Sequence, residues 1–456
     1  MTSVETHEEG EVAVLGLGRS GTAAAKLLLA DGKPVYVSDA GSALVLQDSA
    51  RLLRDLGASV DVGAHDLDRI RRAAYVVVSP GISPDASPIA AAREAGTPLV
   101  SEIEVAVSYL EETRVIAITG TNGKTTTTSL IGHILRSLDE DAVDAGNIGT
   151  PLSDFVRRDQ RPDWIALEIS SFQLHDSPSL APDVGVLTNL SPDHLDRYAT
   201  VEDYYADKAL LFSNASDASR WVLNADDARV TSMAAEVAGE KFGFSLEREA
   251  EAWLDRESNM LRLFGEPLIG RDEITLLGDH NIANALAAAL AVSVADERFR
   301  TNDAREGIAA ALQTFRSLAH RLEIVGETDG VQWINDSKAT NVSSARVAIE
   351  GMRRPTILLL GGRHKGEPYT GLADAIRKSV KKVIAYGEAG PIIAKDLTGV
   401  VPVEEARSDF EEVIQRARQS AESGDAILLS PACSSFDMFR NYEERGARFK
   451  ELALGD

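Results

Sequence analysis

The chain has 456 residues, 44% of them hydrophobic and 26% charged, which excludes a disordered or fibrous polymer and predicts about three domains. Its formal net charge of −24 repels nucleic acid and anionic lipid in bulk, so neither is an expected partner, and any phosphate must be gripped locally. A lone cysteine, Cys433, allows no intrachain disulfide and fits a reducing cytoplasm.

The acidic opening MTSVETHEEG lacks a basic region leading into an apolar run and does not read as an export signal. Short β-branched runs then alternate with helix-period segments, the pattern of parallel sheets wrapped by helices. After a predicted strand at 12–15, Gly16, Gly18 and Gly21 open a helix in the sequence GLGRSG, and Asp39 closes the next strand, 35–38. Read alone, this is a dinucleotide-binding fingerprint: the glycines admit a pyrophosphate and the acid is available to a ribose or base. It supports an NAD-dependent dehydrogenase as one reading and a nucleotide-linked substrate as another; glycines that merely pack helix on sheet are the bland alternative. Gly81 makes a second turn after a strand at 75–79. A short strand at 98–100 and an acidic helix through Glu102, Glu104, Glu111 and Glu112 mark a first boundary.

The strongest local signal follows: a strand at 115–119, the turn Gly120-Thr121-Asn122-Gly123, and a helix beginning Lys124-Thr125-Thr126. Gly120 and Gly123 let backbone N–H groups converge on an anion at a helix N-terminus, Lys124 reaches the outer phosphates, and Thr125 offers a hydroxyl to Mg²⁺. The general phosphate-loop pattern has glycine where Ile118 stands, so the loop is a variant. Its bland counterpart is a glycine turn with a surface lysine and threonine caps.

Glu168 ends an apolar strand at 165–169, where a charge needs a partner; a magnesium ion beside phosphates would supply one, and a salt bridge is the alternative. A strand at 184–187 leads into a loop that groups Asp193, His194, Asp196 and Arg197, a place where polar ligands to a substrate collect. The helix at 201–212 carries Lys208, which composition alone assigns to the surface. Beyond a strand at 221–223, His280, Asn281 and Asn284 share one face at the start of an alanine-rich helix, 282–295, too short to span a bilayer and read as buried. Their amides suit a purine or ribose, or serve as caps.

A second boundary falls at 316–321. Strands at 333–335, 356–360, 383–386 and 426–430 follow, and three of them end in polar turns: Asn335 to Asn341, Gly361 to Gly366, and Ser430 to Asp437. A cation and several donors at a helix N-terminus suit an anionic substrate, although polar loops also arise for solvation alone. The expected fold is therefore α/β in three domains, 1–102, 103–318 and 319–456, with a mainly parallel central sheet.

Taken in order, GTNGKTTTT, EISSFQL, NLSPDHLDRY, GDHNIANALAA, HRLE, NDSKATN and SPACSSFD resemble the Mur ligase family across all three domains. The resemblance implies a Rossmann-like UDP-binding first domain, a central phosphate-loop ATPase domain, and a Rossmann-like third domain that brings in an amino acid. GLGRSG, DSKATN and SPACSSFDMFRNYEERG are most similar to the family branch that adds D-glutamate to UDP-N-acetylmuramoyl-L-alanine in peptidoglycan synthesis. On that resemblance ATP, D-glutamate and the UDP-sugar are the small-molecule partners, the reaction runs through an acyl phosphate, and a cytoplasmic monomer is expected. Lys124 and Thr125 match phosphate and magnesium positions, Glu168 a metal ligand and His194 a second-metal ligand. Lys208 matches a lysine that CO₂ converts to a carbamate ligand for the second of two Mg²⁺ ions, which reverses the surface reading. Asn281, Asn284, Arg321 and Asp336 match ATP-contacting positions. Lys338, Thr340, Lys365, Ser435 and Phe436 match the D-glutamate site. Asn147 joins Gly18, Arg19, Ser20, Asp39, Gly81 and His194 near the UDP-sugar. Arg19, Ala40 and the pair Arg363–His364 depart from the family pattern.

The chemistry agrees. Joining a carboxylate to an amine through phosphoryl transfer calls for charge neutralisation and alignment and for no protein nucleophile, and the sequence offers no Ser-His-Asp or Cys-His arrangement. The rivals are a dehydrogenase, which binds nicotinamide and turns over no ATP; a non-catalytic nucleotide-binding module; and a sister ligase adding another amino acid.

Overall fold

A computed structural model describes residues 10–110, 112–156, 161–193, 197–406 and 409–455. The architecture is α/β with three sheets, mostly parallel. The first runs Ser59–Val62, Val35–Asp39, Val12–Leu15, Val76–Val78, Leu99–Ser101, all parallel. This doubly wound order reverses between Val12–Leu15 and Val76–Val78, and ligands of such sheets bind at that crevice, outside the carboxyl ends of the strands.

The second sheet places Arg114–Thr119 between Val184–Leu187 and Trp164–Glu168, with Ala142–Gly146 at one edge. On the other side it continues through Arg220–Asn224, Glu240–Ser245 and Ala252–Asp255, then closes with Met260–Leu263 and Glu266–Gly270, which pair antiparallel. Trp164, Ile165, Ala166 and Leu167 are fully buried, as a strand covered on both faces requires. The third sheet runs Glu323–Thr328, Val331–Asn335, Ala426–Leu429, Thr356–Gly361, Val380–Tyr386, Val403–Ala406, with only its first pair antiparallel.

The chain divides into two compact units, Met1–Arg271 with Ala283–Leu312, and Asp272–Ile282 with Gln313–Asp456. The first two sheets lie in the former and the third in the latter. The alanine-rich helix is Asp279–Ala295; its residues from Ala285 to Val292 are buried on every side. Among the described residues, no helix is long and apolar enough to cross a membrane.

Glu102 starts the helix Glu102–Val107 inside the first unit and is 2% exposed. One carboxylate oxygen accepts the Ser153 N–H at 2.6 Å, the other has no partner among the described residues, and burial pushes its pKa up from 4.5 to about 7. Because the folded value is raised, its contribution to stability is complete below pH 4.5 and is lost as pH climbs through about 7. Glu102→Gln should therefore unfold at increasingly higher urea than the parent as pH rises from 5 to 8, the gap widening by about 3 kcal/mol. A gap unchanged between those pH values would disprove the buried, neutral acid.

Candidate functional site

In the first unit the glycine-rich turn after Val12–Leu15 meets the turn after Val76–Val78. A Cβ on Gly21 would stand 2.1 Å from the Gly16 carbonyl oxygen, so only glycine lets the helix Arg19–Ala30 begin this close to the strand. The result is a cleft of about 630 Å³ whose lining includes Gly18, Arg19, Ser20, Asp39, Gly81 and Asn147. Every described residue assigned by resemblance to the UDP-sugar therefore faces one cavity. His194 lies outside the described residues. Within that lining, the Asp39 carboxylate oxygens accept the N–H groups of Leu17 and Gly41, both at 2.8 Å. The acid thereby shapes the turn, and each oxygen keeps a lone pair for a ligand in the cleft. Arg19 donates to the Gly149 carbonyl oxygen, drawing the 147–151 segment over the same cleft.

The phosphate loop follows Arg114–Thr119, and the helix Lys124–Ser137 starts at the lysine as expected. Its cap, Gly123, has φ +84° and supplies no side chain, which suits a turn whose amides face an anion. A Cβ there would also run into the Asn284 side chain at 2.3 Å. Asn284 in turn accepts the Thr127 hydroxyl at 3.3 Å, so it lies against this loop. Thr125 is buried, while Thr126 is half-buried and Asn122 exposed.

The loop is braced from the neighbouring strand by residues that the sequence reading quoted but gave no role. Thr188 Oγ1 donates to the Asn122 carbonyl at 2.6 Å. The Asn189 side chain both accepts from and donates to the Asn122 backbone at 2.9 Å. Thr121 N–H donates to the Asn189 carbonyl at 2.9 Å, and Ser191 exchanges bonds with the Thr121 hydroxyl at 3.0 Å. Their position directly after a strand adjoining the phosphate strand was the available signal.

Lys124 folds back so that Nζ donates to the carbonyls of Gly120 at 3.0 Å and Thr121 at 2.8 Å. Lys208 lies on the helix Val201–Ala209, which passes into a 3₁₀ turn, Leu210–Phe212. It is 1% exposed and donates to that same Gly120 carbonyl at 2.8 Å, under the Tyr204 ring. The surface assignment from composition is thus overturned. Burial, helped by the charge of Lys124, holds the Lys208 amine well below its ordinary pKa, against the pull of Asp193, Asp207 and Glu168. Glu168 ends Trp164–Glu168 and is 2% exposed. Asn147 Nδ2 donates to its Oε1 at 3.1 Å, while its Oε2 is buried without a partner among the described residues. Among the described residues no salt bridge compensates it. Asn147 consequently touches both the 630 Å³ cleft and this carboxylate. Among the described residues no three His, Cys, Asp or Glu side chains cluster as a ready-made metal cage.

In the second unit, Asp336 follows Val331–Asn335 and is buried. Its oxygens accept the Leu322 N–H at 3.1 Å and the Ser430 hydroxyl at 2.8 Å, and burial pushes its pKa up to about 7 against the charges of Arg321 and Arg445. Asn281, also buried, donates to the Leu277 carbonyl at 2.8 Å. Lys338 stands over the Tyr442 ring, and Lys365 Nζ reaches Thr340 Oγ1 at 3.4 Å. Ser435 is buried and Phe436 is 60% exposed. Arg363 pairs with Glu388 and its N–H donates to the Ser434 carbonyl at 2.9 Å. Arg445, which the sequence reading passed over, joins two of these turns. It is 1% exposed, and its guanidinium donates to Ser337 Oγ at 2.9 Å, the Ser337 carbonyl at 2.8 Å and the Cys433 carbonyl at 3.2 Å. Nothing in the run NYEERG separates this arginine from a solvated one.

Three family models match the chain: a Mur ligase MurD-like N-terminal domain over residues 10–101, the Mur ligase middle domain over 118–292, and the Mur ligase glutamate ligase domain over 320–433. Among curated relatives, a protein of Acidobacterium capsulatum is 40% identical over 450 residues, 97% of this chain and 96% of its own length. One of Salinibacter ruber is 39% identical over 453 residues, 96% of each. Both carry the name "UDP-N-acetylmuramoylalanine--D-glutamate ligase". Among solved structures, the UDP-N-acetylmuramate-alanine ligase MurC of Thermotoga maritima superposes with a TM-score of 0.63 at 18% identity, covering 98% of this chain and 100% of that one. MurF ligase of the same organism, in complex with ADP, also gives 0.63, at 17% identity over 93% and 96%. At those identities the two structures speak for the fold.

Proposed function

The chain belongs to the Mur ligase family, and from that membership we infer that it is the ATP-dependent ligase that adds D-glutamate to UDP-N-acetylmuramoyl-L-alanine in peptidoglycan precursor synthesis. Near-full-length identity to relatives bearing that name carries the reading. The braced phosphate loop supports ATP as co-substrate, as does the ADP complex of a structural neighbour.

In the chemistry we propose, the terminal carboxylate of the UDP-sugar attacks the γ-phosphorus of ATP and displaces ADP, forming an acyl phosphate. The amine of D-glutamate, having lost a proton, attacks the acyl carbon, and the tetrahedral intermediate expels phosphate. The backbone amides of 120–125 and Lys124 hold and orient the triphosphate, so the two anions meet in line. Asn281, Asn284, Arg321 and Asp336 are the further ATP contacts of this proposal. Lys338, Thr340, Lys365, Ser435 and Phe436 receive D-glutamate, and Gly18, Arg19, Ser20, Asp39, Gly81, Asn147 and His194 the UDP-sugar.

The donor set fits magnesium, since Glu168 holds a buried oxygen without a partner among the described residues and Thr125 places a hydroxyl at the first turn of the phosphate-loop helix. Thr125 and Glu168 would hold one ion, and His194 with a carbamylated Lys208 a second. Bound there, magnesium neutralises charge between the phosphate oxygens and the incoming carboxylate. Carbamylation requires a neutral amine, and the burial of Lys208 supports that state. The division at 1–102, 103–318 and 319–456, and a monomeric cytoplasmic enzyme that binds neither nucleic acid nor membrane, belong to the same proposal.

The dehydrogenase alternative is disfavoured, because relatives matched over nearly the whole chain are named as ligases. Phosphate release from ATP with UDP-N-acetylmuramoyl-L-alanine, measured with each candidate amino acid separately, tests the assignment. D-glutamate alone should support turnover. Release with another amino acid and none with D-glutamate would overturn it.

A further inference from the structure

The segment that begins at Thr188 braces the phosphate loop at its start and reaches the UDP-sugar cleft at its end. Arg197 is the last contact of that segment. Its Nη1 donates to the Pro80 carbonyl at 3.1 Å and its Nη2 to the Ile82 carbonyl at 2.8 Å, spanning the turn that carries Gly81. Pro80, Gly81 and Ile82 all line the 630 Å³ cleft. The guanidinium lies over the Phe172 ring, 3.8 Å from its centroid, and that ring stacks on Tyr198 at 5.3 Å and 15°. Tyr198 donates to Asp207 at 2.8 Å, the residue next to Lys208. The Asp176 carboxylate feels the charge of Arg197, and the arginine's Nε is buried without a partner among the described residues. The guanidinium fixes shape, because its planar fork holds the two carbonyls at a set spacing while its face lies on the Phe172 ring.

We propose that Arg197 is a positioning residue for the nucleotide-sugar substrate, holding the Pro80–Ile82 turn in its binding shape from the same segment that braces the phosphate loop. It touches neither reacting group, so its effect falls on capture of the UDP-substrate and leaves the chemical step alone. The inference rests on the cleft being the UDP-sugar site.

Steady-state kinetics of Arg197→Met and Arg197→Lys in the full chain test it, together with direct binding of UDP-N-acetylmuramoyl-L-alanine and of ADP. Arg197→Met should raise KM and Kd for the UDP-substrate about 10-fold or more, with kcat at saturation and ADP affinity within about 2-fold of the parent. Arg197→Lys, which keeps a cation over Phe172 but loses the fork, should fall between parent and Met. It carries the test if the Met variant does not fold, since unchanged ADP binding reports an intact phosphate loop. An unchanged KM for the UDP-substrate, or a fall in kcat at unchanged KM, would overturn the positioning role. A parent chain that binds ADP but no UDP-substrate would instead overturn the reading of the cleft.

Discussion

Lys208→Ala is expected to lower kcat by on the order of 10³-fold, with ADP binding retained and no recovery on adding bicarbonate. The side chain is among the largest fully buried ones in the chain, and its nitrogen meets the phosphate loop at the Gly120 carbonyl that Lys124 also uses. Two ammonium groups on one carbonyl repel, which adds to the burial that lowers the pKa of this amine. Conversion to a carbamate would replace that repulsion with an attraction to Lys124 and supply a carboxylate next to the phosphates. Alanine removes both forms, so dissolved CO₂ has nothing to react with. Phosphate release under saturating substrates is the measurement, and a variant retaining full turnover would end the carbamate assignment.

Glu168→Gln should separate activity from stability. Turnover is expected to drop by about 10²- to 10³-fold, while the unfolding free energy rises by about 1–3 kcal/mol. The parent carries a carboxylate at the end of an apolar strand with one oxygen bonded to Asn147 and the other bonded to nothing among the described residues. Burial of such a group is costly without a cation. Glutamine keeps the size and can still accept from Asn147, but brings no charge for a metal. Magnesium titration followed by thermal melting reads the same point independently: the parent should gain stability with the ion and nucleotide, the variant far less. A glutamine variant of parental activity would leave Glu168 a structural acid.

Much of this was legible before any coordinates. Strands that run through the middle of a sheet are apolar on both faces, and 12–15, 115–119, 184–187 and 356–360 emerged within a residue of their observed bounds. The strands that escaped notice are edges or extensions. Ser59–Val62, Ala142–Gly146, Glu323–Thr328 and Val403–Ala406 border solvent and carry acids, which dilutes the β signal. The antiparallel hairpin Met260–Gly270 has charged residues and glycines in place of a continuous apolar run. Within the site, glycines and the phosphate-loop lysine advertise themselves through spacing. Lys208 does not: its helix carries Glu202, Asp203 and Asp207, so composition points outward, and only a tertiary contact with Gly120 explains its burial. Asp39 was legible by spacing as an acid at the cleft, but spacing does not report that it also accepts the Leu17 and Gly41 N–H groups.

Arg445 has a consequence for how the sequence can change over generations. One plane of nitrogen atoms ties the Ser337 turn to the Cys433 turn, and lysine, which lacks the planar fork, would not hold the two at that fixed spacing. A substitution that loses this guanidinium therefore disturbs both turns at once, from a position too buried for a ligand to touch.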